Sequence, residues 1–84
     1  MNDKLIETIN ALFLKKRNTI YEVRIVYDVY RDRINIFFQH YKIGYATVSQ
    51  QIGRFDGSER GKMPELARQI TQQTKVSVEL VAFD

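Results

Sequence analysis

Apolar residues along this chain follow two different periods, which alternate twice. An early segment and a later one carry apolar residues three and four positions apart, and this spacing predicts helices that each bury one face. The first stripe consists of Leu5, Ile6, Ile9, Leu12 and Phe13, and the second of Met63, Leu66, Ala67 and Ile70. Lys15, Lys16 and Arg17 are predicted to end the first helix, and Pro64 suits the first turn of the second.

Two alternating segments between these helices predict a β-hairpin. One face would carry Tyr21, Val23, Ile25, Tyr27 and Val29 from the first strand, and Ile34, Ile36 and Phe38 from the second. A turn through Arg31 and Asp32 pairs Val29 with Ile34, Tyr27 with Ile36 and Ile25 with Phe38. Every such pair is apolar, so the alternation specifies the pairing. On the opposite face, the same register sets Val26 opposite Phe37 and Glu22 opposite Tyr41.

A third strand is predicted at residues 45–51, and either of its faces could point inward. A fourth is predicted at residues 76–83, with Val76, Val78 and Leu80 facing in. The element order α-β-β-β-α-β predicts a single small α+β domain over residues 1–84. Its architecture is a two-layer sandwich of two helices on an antiparallel-dominated sheet of about four strands.

Composition narrows the class of protein. The 84 residues suffice for one small core, and the absence of cysteine excludes disulfides and thiolate metal sites. No apolar run approaches the roughly 20 residues of a membrane helix, and residues 1–16 lack the features of a signal peptide. We therefore expect a cytoplasmic protein of a bacterial or phage-like setting, without a membrane partner.

The net charge is +3, with an isoelectric point of about 9.3. Residues 31–62 hold six basic and three acidic side chains, whereas the segments before and after them are close to balance. A surplus of this size permits attraction to nucleic acid without requiring it.

The glycine-rich stretch GRFDGSERGKMPE, residues 53–65, raises the question of a phosphate-binding loop. Gly57 and Gly61 are one residue too close for a P-loop, and Met63 stands where the magnesium-binding hydroxyl belongs. The stretch is therefore predicted to be a turn between a strand and a helix. An alternative is that Arg54, Arg60 and Lys62 gather at the helix N-terminus and bind one backbone phosphate.

Catalytic and metal signatures are missing from the sequence. His40 is the only histidine, and the aspartates and glutamates follow no known ligand spacing. No nucleophile stands in a recognised motif context. We expect a protein that is not an enzyme, with no metal site and no cofactor.

One face of the predicted sheet remains without helices and carries aromatic and basic side chains together. This combination is typical of sheets that stack single-stranded bases and contact phosphates. The predicted nucleic-acid-binding or partner face comprises Arg24, Arg33, Phe37, Tyr41, Lys42, Arg54, Arg60 and Lys62.

Two alternatives stay open for this face. It could contact protein, either a second copy of the chain or a larger protein that this one inhibits or adapts, and Glu22 and Asp28 favour that interpretation over phosphate. It could also be covered by the C-terminal segment or by the glycine-rich loop. Nucleic acid remains the leading predicted partner, and a homodimer through this face is the main alternative.

The order helix-strand-strand-strand-helix, with LKKRNTIYEV joining the first helix to the first strand, resembles the double-stranded-RNA-binding domain. The resemblance covers about residues 9–49. The chain departs from that family at the second helix, which opens with Gly61, Lys62, Met63 and Pro64 instead of a lysine cluster. The closing strand is also foreign to the family, so no site residue is transferred from it.

Overall fold

The computed structural model describes residues 2–83 and has the predicted order α-β-β-β-α-β. Its elements are α1 (Asn2–Leu12), β1 (Thr19–Asp28), β2 (Arg33–Lys42), β3 (Val48–Asp56), α2 (Met63–Thr74) and β4 (Ser77–Val81). A 3-10 helix, Gly57–Lys62, leads into α2. Within residues 2–83, no helix combines the length and the apolar character needed to span a membrane.

The four strands form one mixed sheet in the order β3-β2-β1-β4. The β1/β2 and β2/β3 pairs are antiparallel, and β4 joins the other edge of β1 in parallel. The parallel pair requires a crossover, and α2 supplies it by carrying the chain back along the sheet. The predicted α+β architecture, with an antiparallel-dominated sheet and two helices, is confirmed.

The core lies between the sheet and both helices, which cover the same face. Ile9 of α1 and Ile70 of α2 are completely buried, and they meet β1 and β2 in one continuous cluster. Both predicted helical stripes are therefore confirmed as core-facing. The buried apolar residues are Leu5, Ile6, Ile9, Val23, Ile25, Ile34, Ile36, Phe38, Met63, Leu66, Ile70 and Val76.

The predicted hairpin register is wrong by two residues. Ile34 pairs with Tyr27, Ile36 with Ile25, and Phe38 with Val23. Because a shift of two preserves which side chains face each way, the predicted inward face is still correct. Val29 leaves the strand and becomes exposed in the turn.

Side-chain hydrogen bonds in a longer turn explain this shift. The Asp28 carboxylate accepts the backbone N–H groups of Tyr30 at 3.1 Å and of Arg31 at 3.3 Å, which ends β1. Asp32 then adopts a left-handed conformation with φ of 52°, and its carboxylate accepts the Tyr27 hydroxyl at 2.6 Å. The connection therefore spans four residues, where the sequence prediction allowed two central residues.

The third strand also begins and ends later than predicted. It runs from Val48 to Asp56, so the first four residues of the glycine-rich stretch belong to β3 and the next six to the 3-10 helix. A bulge at Ile52, opposite the step from Ile36 to Phe37, interrupts its alternation. The pairing of Val48 with His40 before the bulge, and of Phe55 with Ile34 after it, resolves the inward face that the sequence left open.

The first helix ends earlier than predicted. Its last assigned residue is Leu12, and Phe13 closes the final turn with an N–H donated to the Ile9 carbonyl at 2.9 Å. Lys15, Lys16 and Arg17 therefore lie beyond α1, in its connection to β1. Lys15 and Asn18 have positive φ, so the chain bends twice within this connection.

Candidate nucleic-acid interface

The face of the sheet opposite the helices is not covered by any element in residues 2–83. Both helices pack on the inner face, and Phe83 follows them there, with its ring centroid 6.1 Å from that of Tyr27. The alternative that the C-terminal segment covers the outer face is therefore wrong. We call this outer surface the open face, and its aromatic and arginine side chains are Arg24, Arg33, Phe37, Tyr41 and Arg54.

Phe37 and Tyr41 both lie half-buried on β2, on the open face. The corrected register sets Phe37 between Arg24 on β1 and Gln51 on β3, and it sets Tyr41 opposite Ile20. The predicted pairs of Phe37 with Val26 and of Tyr41 with Glu22 are therefore wrong. An arginine now flanks the Phe37 ring, and no carboxylate lies directly opposite Tyr41 on β1.

Arg24 is bound to two carboxylates. Its guanidinium lies 3.5 Å from both Glu22 and Glu79, which come from its own strand and from β4. Its Nε is buried and has no hydrogen-bond partner. The charge of Arg24 is thus offset within the protein and is poorly placed to meet a phosphate.

The open face as a whole is not basic. Arg24, Arg33 and Arg54 share it with Glu22, Asp28, Asp56 and Glu79. Asp56 accepts the Ser58 N–H at 2.9 Å, and this bond, together with the nearby Arg33 charge, lowers the pKa of its carboxyl. The face therefore carries slightly more negative than positive charge, and its middle does not attract phosphate by net charge.

The 3-10 helix holds Arg60 and Lys62 away from the open face. The Arg60 guanidinium stacks 4.9 Å from the ring centroid of Tyr27, which packs against the core, and Lys62 pairs with Glu59 at 3.0 Å. Arg54, in contrast, points to the open face of the sheet. The structure therefore does not gather these three cations around the start of α2.

A second basic surface was missed by sequence reasoning. It lies at the end of the sheet where β1 and β4 begin and β2 ends, and we call it the basic end: Lys15, Lys16, Arg17, Lys42 and Lys75. Residues 8–21, 33–55 and 66–78, which supply these cations, contain no aspartate or glutamate. That absence was the available signal, but it becomes visible only when the three segments are known to meet.

All five cations are exposed, and none forms an ion pair with another described residue. Their backbone is nevertheless held in place. The Lys16 N–H donates to the Tyr21 hydroxyl at 3.2 Å, and the Ile43 N–H donates to the Asn18 carbonyl at 3.0 Å. The basic end therefore carries five positive charges that no described residue pairs with, on connections held by backbone hydrogen bonds.

Apolar and aromatic side chains are exposed between these cations. Tyr45 is 70% exposed and lies under the Lys42 ammonium, which is 5.5 Å from its ring centroid. Most of the large exposed hydrophobic residues of the described chain are at this end: Leu14, Ile20, Ile43, Tyr45 and Val48. Such a mixture is typical of a contact surface.

Metal ligands do not cluster among residues 2–83, where no group of three or more histidine, aspartate or glutamate side chains is arranged to hold an ion. His40 lies on the inner face with its ring centroid 6.0 Å from that of Tyr21. Comparisons with protein-family models, curated proteins and solved structures returned no match.

Proposed function

We propose that this protein is a small, non-enzymatic, cytoplasmic domain that binds single-stranded nucleic acid. The basic end would meet the phosphates, and the aromatic rings of Tyr41 and Phe37 would stack the bases that follow onto the open face. The observation that carries the proposal is the set of five exposed cations at one end of the sheet, none of which pairs with a carboxylate of the described residues.

Electrostatics support a polyanionic partner. Cations that already have protein counter-charges gain little from a phosphate. The ion pairs among the described residues involve Arg24, Arg31, Lys62 and Arg68, all outside the basic end. Free cations on a fixed backbone release counterions from a nucleic acid, and this release drives sequence-independent binding. Single strands are favoured because their bases are available to aromatic rings.

A matched pair of triple variants tests the electrostatic part. Lys15→Gln/Lys16→Gln/Arg17→Gln should weaken binding to a labelled single-stranded oligonucleotide and lower the slope of log affinity against log salt by about 2, since each phosphate contact contributes about 0.7. Lys4→Gln/Lys62→Gln/Arg68→Gln removes the same charge elsewhere and should leave the slope near that of the wild type. Fluorescence anisotropy at about 50 and 200 mM salt measures both. Equal losses in the two variants would contradict a localised site.

The aromatic part requires a separate variant. Phe37→Ala/Tyr41→Ala should lower the affinity at least tenfold, because each stacked base contributes about 1–3 kcal/mol. The salt slope should not change, since no cation is removed. Circular dichroism should show an unaltered fold, because both rings lie outside the core. An unchanged affinity would remove the open face from the binding site.

A protein partner is the second candidate, and the exposed aliphatic residues Leu14, Ile43 and Val48 beside the cations favour it. A partner with an acidic, apolar surface would match this end, and the balanced charges of the open face would suit a second copy of the chain. Sedimentation velocity at two widely separated concentrations tests self-association. A monomer at both concentrations contradicts the homodimer, while a concentration-dependent dimer that excludes oligonucleotide would replace the nucleic-acid proposal.

A further inference from the structure

A cavity of about 280 Å³ opens at the hairpin end of the sheet, the end opposite the basic end. We call it the arginine pocket, and its lining is Asp28, Arg31, Arg33, Asn35, Gln51 and Arg54. Strand pairing builds it, since Asp28 lies opposite Arg33 and Asn35 lies opposite Arg54. The pocket therefore combines side chains of all three antiparallel strands and of the turn between β1 and β2.

Positive charge exceeds negative charge among the lining side chains. The single carboxylate, Asp28, pairs with Arg31 at 3.2 Å and also accepts backbone N–H groups of the turn. The Arg54 side chain forms no ion pair with the described residues and no hydrogen bond to them. Arg33 faces Asp56, but they do not form an ion pair, and that carboxylate is already bound to the Ser58 N–H. Two guanidinium groups thus retain free donors beside one cavity.

An amide pair adds a further donor to the pocket. The Gln51 side-chain nitrogen donates to the Asn35 side-chain oxygen at 3.1 Å, which orients the Asn35 amide. Because Asn35 accepts with its oxygen, its NH2 group remains available. Guanidinium and amide N–H groups around one cavity are the donors that bind phosphate oxygens, and arginine does so through two parallel hydrogen bonds.

The charge selects the kind of phosphate. Three guanidinium groups and one carboxylate give the lining a formal charge of +2. A terminal phosphomonoester carries about −1.5 to −2 at neutral pH, and this charge matches the pocket better than the single charge of an internal phosphodiester.

The second strand connects this pocket to the rest of the proposed site. Arg33, Phe37 and Tyr41 are spaced four residues apart on one face of β2, with about 13 Å between successive members. Lys42 of the basic end follows at once. We propose that the arginine pocket binds the terminal phosphate of a single strand whose bases lie along β2, an inference that rests on the function proposed above.

Three forms of one short single-stranded oligonucleotide test this inference: a 5′-phosphate, a 3′-phosphate and no terminal phosphate. One of the two phosphates should raise the affinity about tenfold or more, as expected for hydrogen bonds to a charged group. Arg54→Gln should abolish that gain, so that the phosphorylated and unphosphorylated strands bind this variant with affinities within about twofold of each other. Arg68→Gln removes an equivalent charge from α2 and should retain the gain. Thermal unfolding should show both variants folded.

Several outcomes would overturn the inference. One is that neither terminal phosphate tightens binding. Another is that Arg54→Gln weakens binding of all three oligonucleotides equally, which would make Arg54 an ordinary backbone contact. Titration of inorganic phosphate into the protein alone separates the sources of the ligand. If inorganic phosphate binds in a way that depends on Arg54, but neither terminal phosphate raises the affinity of the oligonucleotide, the pocket is an anion site. The end of a nucleic acid is then not its ligand.

The same experiments distinguish a failure of this inference from a failure of the proposed function. If no oligonucleotide binds the wild-type protein, the proposed function fails, and the phosphate titration still tests the pocket. If the wild-type protein binds the unphosphorylated strand and the Lys15→Gln/Lys16→Gln/Arg17→Gln variant loses that binding, the proposed function stands. This holds whether or not a terminal phosphate raises the affinity.

Discussion

At Gly57 the first residue of the 3-10 helix touches the hairpin turn. Its N–H donates to the Asp32 carbonyl at 2.9 Å, and a Cβ on this residue would stand 2.7 Å from the same oxygen and overlap the Asp32 carboxylate. That carboxylate cannot move aside freely, since it accepts the Tyr27 hydroxyl at 2.6 Å. A single absent side chain thus allows the turn of the hairpin to pack against the segment that leads into α2.

Substitution at the two glycines of the 3-10 helix should have opposite effects. Gly57→Ala should lower the free energy of unfolding by about 1–3 kcal/mol, the usual cost of forcing atoms into a packed site. Gly61→Ala should be neutral or stabilising by up to about 1 kcal/mol, because a Cβ there meets nothing within 4 Å. Urea unfolding of both variants measures the difference. Equal stabilities would show that Asp32 yields at little cost.

At the scale of single elements, β1 has two faces with different roles. Val23 and Ile25 are completely buried under the helices, whereas Ile20, Arg24 and Val26 lie on the open face. β1 is also central in pairing, with β2 on one side and β4 on the other. Buried and exposed side chains therefore alternate along one strand, and substitutions can address its two faces separately.

One methyl group removed from each face of β1 checks this division. Ile25→Val should lower the free energy of unfolding by about 0.5–1.5 kcal/mol, the cost of a buried methyl group. Ile20→Val should have almost no effect on stability, since Ile20 is 43% exposed. Chemical denaturation of the two variants under one condition gives the comparison. A larger loss for Ile20→Val would mean that the faces have been assigned the wrong way round.

Alternation predicted the elements and their faces well, because burial acts directly on every second residue. It could not predict the register of the hairpin, since pairings two residues apart place the same side chains inside. The turn decided between them through Asp28 and Asp32, whose contacts with the backbone and with Tyr27 leave no periodic signal. The bulge at Ile52 likewise hid the full length of β3.

The candidate site was predicted only in part, for a related reason. Phe37 and Tyr41 were found because they share one strand and one face. Lys75 was missed because it joins Lys15 and Lys42 only after the parallel pairing of β4 with β1 brings their segments to one end of the sheet. The ion pair of Arg24 with Glu79 could not be foreseen either, since Glu79 comes from that same distant strand.

At the scale of the whole molecule, charge is strongly segregated. The basic end carries five positive charges, while the other eight basic and all ten acidic residues together give −2. The molecule extends 38 Å along its longest axis, against a screening length of about 10 Å at 0.1 M salt. In such salt a ligand at one end of the molecule is therefore almost unaffected by the charges at the other end. The net charge of +3 thus understates the electrostatic field at the basic end.

Crowded like charges should destabilise the protein when salt is low. The melting temperature of the wild type should rise between about 10 and 200 mM sodium chloride, because screening relieves the repulsion within the basic end. The rise should be smaller for Lys15→Gln/Lys16→Gln/Arg17→Gln. It should be undiminished for Lys4→Gln/Lys62→Gln/Arg68→Gln, which removes three cations outside the basic end, two of them paired with carboxylates. Differential scanning fluorimetry records the three curves. Parallel curves would show that the five charges do not interact.

The parallel pairing of β4 with β1 also orders events during synthesis. The first helix and the β1/β2/β3 meander leave the ribosome early, and each antiparallel pair can form as soon as its second strand appears. The other edge of β1 must wait for residues 77–81, some fifty positions later. Until then the nascent chain exposes the unpaired backbone of its most apolar strand, which is a template for pairing with another chain. Slow translation of α2 would lengthen that interval, so misassembly should depend on the rate of elongation as well as on the stability of the finished fold.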